Sequence, residues 1–494
     1  MNVLKIMSDR HTASFTGCYG DDRVRTPTLD ALADRGTRYD SAYCLSPTCA
    51  PSRASMMSGR FIHETGSWCN SHPYTGEPSG WGKHFTERGV HFTTIGKLDF
   101  REDADAGIAD CRLPSFRTSP DVTTLYRDQE IARYLFASRY LETGPAETLG
   151  AFKRDMAVAD EAANWLTNDR PSNKPWITVV NFSHLHRPWL PTADLWNHHD
   201  PLVPADSLDG RFTEPLDHLH PFHRGFSVYS GGHLVSLEAM RRAIVGYLGS
   251  VEVLDGMVNT VLTALEATGE MDDTLVIYTS DHGGNLGEHR ILDHGGLYDE
   301  SARIPLIIAG PDVPAGHVVD TPVSGLDLYP TANTSQELDH PDHLRGASLI
   351  PLASGEKSEN QTPALCQFHA TGFHNSGFAL RDDTHKFIRC VGERSMLFNM
   401  KADPLELDDL LVDDRITDES RAIERRLGDA LDEICDPDEV DTRCKAAQKQ
   451  RRDELESTGQ LFDELNKRGF ERTAEQLVPQ PDSIFEPPSD ALRP

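Results

Sequence analysis

Long apolar runs and positive charge are what this chain of 494 residues has least of. No stretch approaches the ~20 consecutive apolar residues of a membrane-spanning helix, and the opening Met1-Asn2-Val3-Leu4-Lys5-Ile6-Met7 turns polar too early for a secretory leader. The chain carries 48 Lys and Arg against 78 Asp and Glu, a formal charge of −30. Nucleic acid and anionic membranes are bound chiefly through positive charge, so neither is expected as a partner. An anionic substrate would need a local basic pocket. Cysteine is sparse as well, with nine residues scattered at 18, 44, 49, 69, 111, 366, 390, 435 and 444. An odd, dispersed set fits reduced thiols better than a disulfide framework, and a cytoplasmic location is expected.

What is present is an alternation of β-branched runs of strand length with helical patterns, the mark of an α/β fold with a mainly parallel sheet. The clearest strands are Val3 to Met7, Trp176 to Phe182, Leu275 to Thr279 and Ile304 to Ile308, with Lys5 out of place inside the first. Lys153 to Leu166 and Leu237 to Ala267 read as helices, the second interrupted by Gly246 and Gly249. Beyond about Pro330 the texture changes to short strands around Phe378–Ala379, His385–Cys390 and Leu397–Met400, then a charged helical tail from Lys445 to Arg468. The expected division is a catalytic domain over 1–350, a smaller α+β subdomain over 351–435 and a helical tail over 436–494.

Open α/β sheets bind ligands beyond the carboxyl ends of their strands. Asp9 follows the first strand by two residues, and Asp281 with His282 follows Thr279 in the same way. Two distant segments that end alike in a carboxylate at a strand tip fit a cation held by oxygen with one imidazole. Each Asp taken singly could equally be a cap.

The segment Cys49-Ala50-Pro51-Ser52-Arg53, continuing to Gly59-Arg60, supplies the anion chemistry. Pro51 can sit in the first turn of a helix, leaving the neighbouring N–H groups free for an anion, and Arg53 adds a cationic fork for tetrahedral oxyanions. Cys49 could otherwise be a buried structural thiol or a redox partner of Cys44. The segment resembles the type I sulfatase signature, C-x-P-S-R followed by a Gly-Arg pair. The similarity extends through Thr26-Pro27-Thr28-Leu29-Asp30, Gly287-Glu288-His289, Ser301-Ala302-Arg303-Ile304-Pro305 and Asp327-Leu328-Tyr329-Pro330.

That resemblance implies an alkaline-phosphatase-like fold: a large mixed, mainly parallel sheet flanked by helices, with a smaller C-terminal α+β subdomain. It also implies that Cys49 is oxidised by a separate generating enzyme to formylglycine, and that Asp9, Asp281, His282 and the modified Cys49 hold one divalent metal. Calcium, magnesium and manganese all remain open, with manganese favoured slightly by the imidazole. By the same resemblance Arg53 and Lys97 hold the sulfuryl oxygens, His186 or His294 protonates the leaving alcohol, and Asn70 and His63 face the substrate, while Asp99 either faces a cationic or hydroxyl-bearing part of the substrate or is turned away. Three positions depart from the pattern. Arg10 stands where many relatives have a second carboxylate or an amide, Asp99 where a His is usual, and His294 where a Lys is usual.

The implied activity is hydrolysis of a small organic sulfate monoester by transesterification and elimination, in the neighbourhood of choline sulfatases and phosphonate monoester hydrolases. A phosphonate or phosphodiester hydrolase with the same nucleophile is the nearest alternative. A non-catalytic anion-binding protein with an unmodified thiol is the more remote one. The tail resembles those that assemble homo-oligomers in that neighbourhood, although a solvated helix on the same domain would read alike.

Overall fold

A computed structural model describes residues 1–127, 142–356, 363–370, 372–412 and 414–467. Eight strands form the main sheet: β1 (Asn2–Ser8), β2 (Thr37–Tyr39), β3 (His91–Lys97), β4 (Asp110–Ser115), β5 (Trp176–Asn181), β6 (Thr274–Ser280), β7 (Leu306–Ala309) and β8 (His317–Val319). Their spatial order is β8-β2-β7-β6-β1-β5-β3-β4. All pairings are parallel except those of β7 with β6 and β2. The central strands are buried along nearly their whole length, which requires apolar side chains on both faces and explains their near-continuous β-branched runs.

The predicted elements appear with small shifts. The strand expected at Ile304 begins only at Leu306, because Ile304 donates its N–H to Ala42 and Pro305 has none to give. The helix Leu237–Ala267 is unbroken. Its glycines mark close approaches instead, since a Cβ at Gly246 would lie 2.5 Å from Thr143 and one at Gly249 2.8 Å from Pro191. By length and composition this helix could cross a membrane, but 67% of its most apolar window is buried inside the fold.

A second sheet of four antiparallel strands, β9 (Ala364–Phe368), β10 (Gly377–Arg381), β11 (His385–Cys390) and β12 (Met396–Asn399), forms the smaller C-terminal unit. The tail helix starts earlier than its charge pattern indicates, at Pro437, because Asp436 caps it by accepting the N–H groups of Asp438 and Glu439. It ends at Ser457, where Gly459 (φ 77°) turns the chain into a second helix, Gln460–Lys467. Both helices pack on their own chain: Gln448 donates to the carbonyls of Thr124 and His369, and Ser119 donates to Glu464. Residues 468–494 of the expected tail lie outside the described residues.

Candidate active site

Four neighbouring strands, β6-β1-β5-β3, deliver the site from their carboxyl ends. Ser8 and Ser280 are in register, so Asp9 and Asp281 emerge side by side. Lys97 closes β3, and the loop after β5 carries His184 and His186. The helix Cys49–Ser58 points its amino end at this cluster and is buried throughout. Two hydrogen bonds fix that end: Ala50 N–H donates to Asn70 Oδ1 (3.1 Å), and Ser52 Oγ donates to the Asp281 carbonyl (2.6 Å).

Arg53, one turn into the helix, donates from Nε to Asp281 (2.8 Å), from Nη1 to the Lys97 carbonyl (2.9 Å) and from Nη2 to Asp9 (3.5 Å). Lys97 pairs with Asp9 and with Asp99 (3.1 Å). Burial opposes charge on both cations, but the surrounding carboxylates raise them above their ordinary values. His282 donates Nδ1–H to the Gly283 carbonyl (2.7 Å), which leaves its Nε2 lone pair 3.2 Å from Cys49 Sγ.

Cys49, Asp9, Asp281 and His282 each offer a donor atom, and these atoms all lie within 4.8 Å of one another. The buried Asp9 Oδ1 has no hydrogen-bond partner among the described residues. Burial, with Asp9 beside it, pushes the Asp281 carboxyl up to about 7 despite Arg53. An unsatisfied carboxylate oxygen, a second carboxyl that resists ionisation and an imidazole nitrogen aimed at the Cys49 position all fit a divalent cation.

The departures from the sequence pattern occupy defined places. Asp99 faces Arg117 (3.0 Å) as well as Lys97; burial alone would raise its carboxyl, but these two cations hold it at about 2. It therefore orients cations and is not turned away from the site. Arg10 pairs with Asp293 (2.5 Å), which Arg187 also engages, and Asp293 accepts Nδ1–H from His294 (2.6 Å). The His294 ring stacks on His282 at 4.9 Å and lies 6.2 Å from that of His186. A His294 nitrogen falls within 4.8 Å of the Cys49 and His282 donor atoms.

Burial pushes His186 down to about 3, and its Nδ1 is bonded to the Arg187 carbonyl (3.1 Å). His184 is held by Asp155 (2.6 Å) and stacks on Phe152, so it supports the loop. Two further residues named from the sequence have defined partners. His63, on the short helix Ile62–Thr65, hydrogen-bonds Gln367 and stacks on Phe61, which ties that helix to β9. Cys44 lies 3.7 Å from Cys366, which rules out the pairing with Cys49 as its nearest thiol contact. Sequence reading did not pick out Arg117, Arg187 or Asp293 as site residues; each acts through a partner that nothing in its local sequence identifies.

A Sulfatase family profile matches residues 1–334, and a second, described as N-sulphoglucosamine sulphohydrolase, C-terminal, matches residues 287–433. The choline-sulfatase of Rhizobium meliloti (strain 1021) is 30% identical over 430 residues, covering 83% of this chain and 82% of its own length. Arylsulfatase K of Danio rerio is 28% identical, covering 82% and 79%. Among solved structures, the phosphonate monoester hydrolase of Agrobacterium radiobacter superposes with a TM-score of 0.70 at 21% identity, over 88% of this chain and 95% of its own, a likeness of fold. The chain belongs to the sulfatase family, alkaline-phosphatase-like sulfuric ester hydrolases.

Proposed function

We propose that the protein hydrolyses an organic sulfate monoester to an alcohol and inorganic sulfate, with Cys49 matured to formylglycine and one divalent metal bound by Asp9, Asp281, His282 and residue 49. The observation that carries this reading is the convergence of those four donor atoms within 4.8 Å, with Arg53 and Lys97 directly behind them. When bound, the metal supplies Lewis-acid polarisation of the ester and lowers the pKa of a hydroxyl at residue 49. Cys49 Sγ stands here for that hydroxyl oxygen.

The chain's own residues do the rest. Arg53 and Lys97 bind sulfuryl oxygens at the amino end of the helix, where the backbone N–H groups also favour an anion. Because both cations are already paired with carboxylates, Arg53 with Asp9 and Asp281 and Lys97 with Asp9 and Asp99, the pocket suits a singly charged ester better than a doubly charged phosphate monoester. Of the two candidate acids, His294 is the better placed: Asp293 fixes its Nδ1–H and leaves Nε2 for the leaving oxygen, whereas burial keeps His186 neutral. His186 then serves as a neutral hydrogen-bonding group beside it.

The test is peptide mass spectrometry across Cys49 on protein made together with a formylglycine-generating enzyme, beside sulfatase and phosphodiesterase assays of the same sample. The expected result is the mass loss of thiol-to-aldehyde conversion with sulfatase activity that Cys49→Ala abolishes. A preference for the diester would move the assignment to phosphodiester hydrolysis, and an unmodified active thiol would end it.

A further inference from the structure

A cavity of about 710 Å³ opens beside the reactive centre, and two of its lining residues belong to that centre's own hydrogen-bond set. Asn70 holds the Ala50 N–H at the amino end of the Cys49 helix, and Arg117 holds Asp99, which in turn holds Lys97. Burial opposes the charge on Arg117, but Asp99 lies close enough to keep it strongly cationic. Its Nε has no hydrogen-bond partner among the described residues.

Another part of the wall comes from the carboxyl-terminal helices. Arg451, from the helix Pro437–Ser457, and Gln460, from the helix Gln460–Lys467, both line the cavity. The tail is anchored well enough to act as a wall: Gln448 donates to Thr124 and His369, Asp441 accepts from Ser376 (2.8 Å), and Glu464 accepts from Ser119 (2.7 Å). Ser119 itself lines the cavity, so the tail and the loop after β4 close it together.

The lining chemistry limits what fits. Hydroxyl, amide, guanidinium and carboxylate groups line it, the last from Glu77, Glu102 and Asp103, and Tyr74 is its only benzenoid ring among the described residues. That tyrosine's hydroxyl is already committed to the Pro78 carbonyl. A quaternary ammonium is normally recognised by several aromatic faces, and an aryl group by mainly apolar walls; neither is offered. A group with several hydroxyls satisfies the exposed donors and acceptors, and the volume suits a ligand larger than a short alkyl alcohol.

On the sulfatase reading above, we propose that Arg451 and Gln460 of the carboxyl-terminal helices are specificity-determining residues that hydrogen-bond the alcohol part of a polyhydroxylated sulfate monoester whose sulfate lies at residue 49. The full-length, formylglycine-matured enzyme with its metal is assayed on a set of monosaccharide sulfates, on choline O-sulfate and on 4-nitrophenyl sulfate. The expected result is a preference for a monosaccharide sulfate. Gln460→Ala and Arg451→Ala should each raise KM for it by between about threefold and tenfold, the loss expected for one hydrogen bond. Their kcat/KM for 4-nitrophenyl sulfate should stay within about twofold of the parent, which separates a lost contact from misfolding. A preference for choline O-sulfate, or variants that lose all three activities in parallel, would overturn the assignment while leaving the sulfatase reading intact. Absence of turnover on every ester by the matured enzyme would overturn both.

Discussion

Lys5 points from the central strand into an apolar space behind the anion pocket, with 4% of its surface exposed. Its ammonium contacts Met56 Sδ at 3.9 Å and sits 5.3 Å above the Trp81 ring. Burial first, and then repulsion from Arg53, bring it down to about 7, with Asp281 only partly offsetting them. Moving an ammonium from its ordinary value near 10.5 to about 7 makes the charged form unfavourable by roughly 5 kcal/mol, at ~1.4 kcal/mol for each tenfold change in proton affinity. Lys5→Met keeps the volume and removes the charge, so it should stabilise the fold at pH 7 by about 1–4 kcal/mol, the range for replacing a buried ion with an apolar isostere. The sign with pH follows from proton binding. Between pH 7 and 10.5 the unfolded chain keeps the proton and the folded one loses it, so the parent gains stability as pH rises. Urea denaturation at pH 7 and 9 should therefore show an advantage for Lys5→Met that shrinks by ~2 kcal/mol at the higher pH. A destabilised variant at pH 7, or an advantage that does not change with pH, would refute the reasoning.

His220 caps the helix Pro221–Ser230 by accepting Phe222 N–H at Nδ1 while donating Nε2–H to the Arg394 carbonyl, so its neutral form is the bonded one, and burial pushes it down to about 4. The parent should lose up to roughly 3 kcal/mol from this group as pH falls from 6.5 to 4, and His220→Asn, a capping residue that does not titrate, should flatten that part of a denaturation-versus-pH curve. Gly246→Ala would place its Cβ 2.5 Å from Thr143 and 3.0 Å from the Trp189 carbonyl. It should lower stability by ~1–3 kcal/mol in urea denaturation, although alanine is the better helix former. Asn70→Ala removes the acceptor for Ala50 N–H; a loss of ~0.5–2 kcal/mol is expected in the same assay.

The strands and the four converging donor residues were legible because each is written locally. A buried parallel strand must be apolar on both faces, so β1, β5 and β6 announce themselves, and a carboxylate immediately past such a strand lands at the sheet's binding edge. The Cys49 segment was legible because Pro51 and Arg53 stand at fixed offsets on one helix. What stayed hidden is written across the chain. Asp99 acquires its role from Arg117 on the loop after β4, His63 from Gln367 on the second sheet, and the cavity wall from Arg451 and Gln460 on the tail. Gly246 and Gly249 misled for a related reason, since their partners Trp189 and Pro191 come from a different loop and no helix propensity encodes them.

Arg10 and His294, two of the residues read from the sequence as departures from the resemblance, are joined by a single carboxylate. A buried arginine at position 10 demands a counter-charge, and Asp293, immediately before His294, provides it. Asp293 also accepts from Arg187, the neighbour of His186, and from His294 itself. Burial would raise this carboxyl, but Arg10 and Arg187 hold it well below the usual carboxylate range. Asp293→Asn takes away the charge that the two guanidiniums share, and breaking a buried ion pair from one side costs about 3–5 kcal/mol. The same change replaces the carboxylate that fixes His294 Nδ1–H with a neutral amide, which no longer stabilises the protonated ring, so kcat should fall further than KM changes, and its pH dependence should move. Arg10→Met alone keeps the Asp293–His294 bond and should spare that pH dependence while still costing stability. If Asp293→Asn and Arg10→Met alter the pH profile equally, Asp293 acts through packing alone and His294 is not the proton donor.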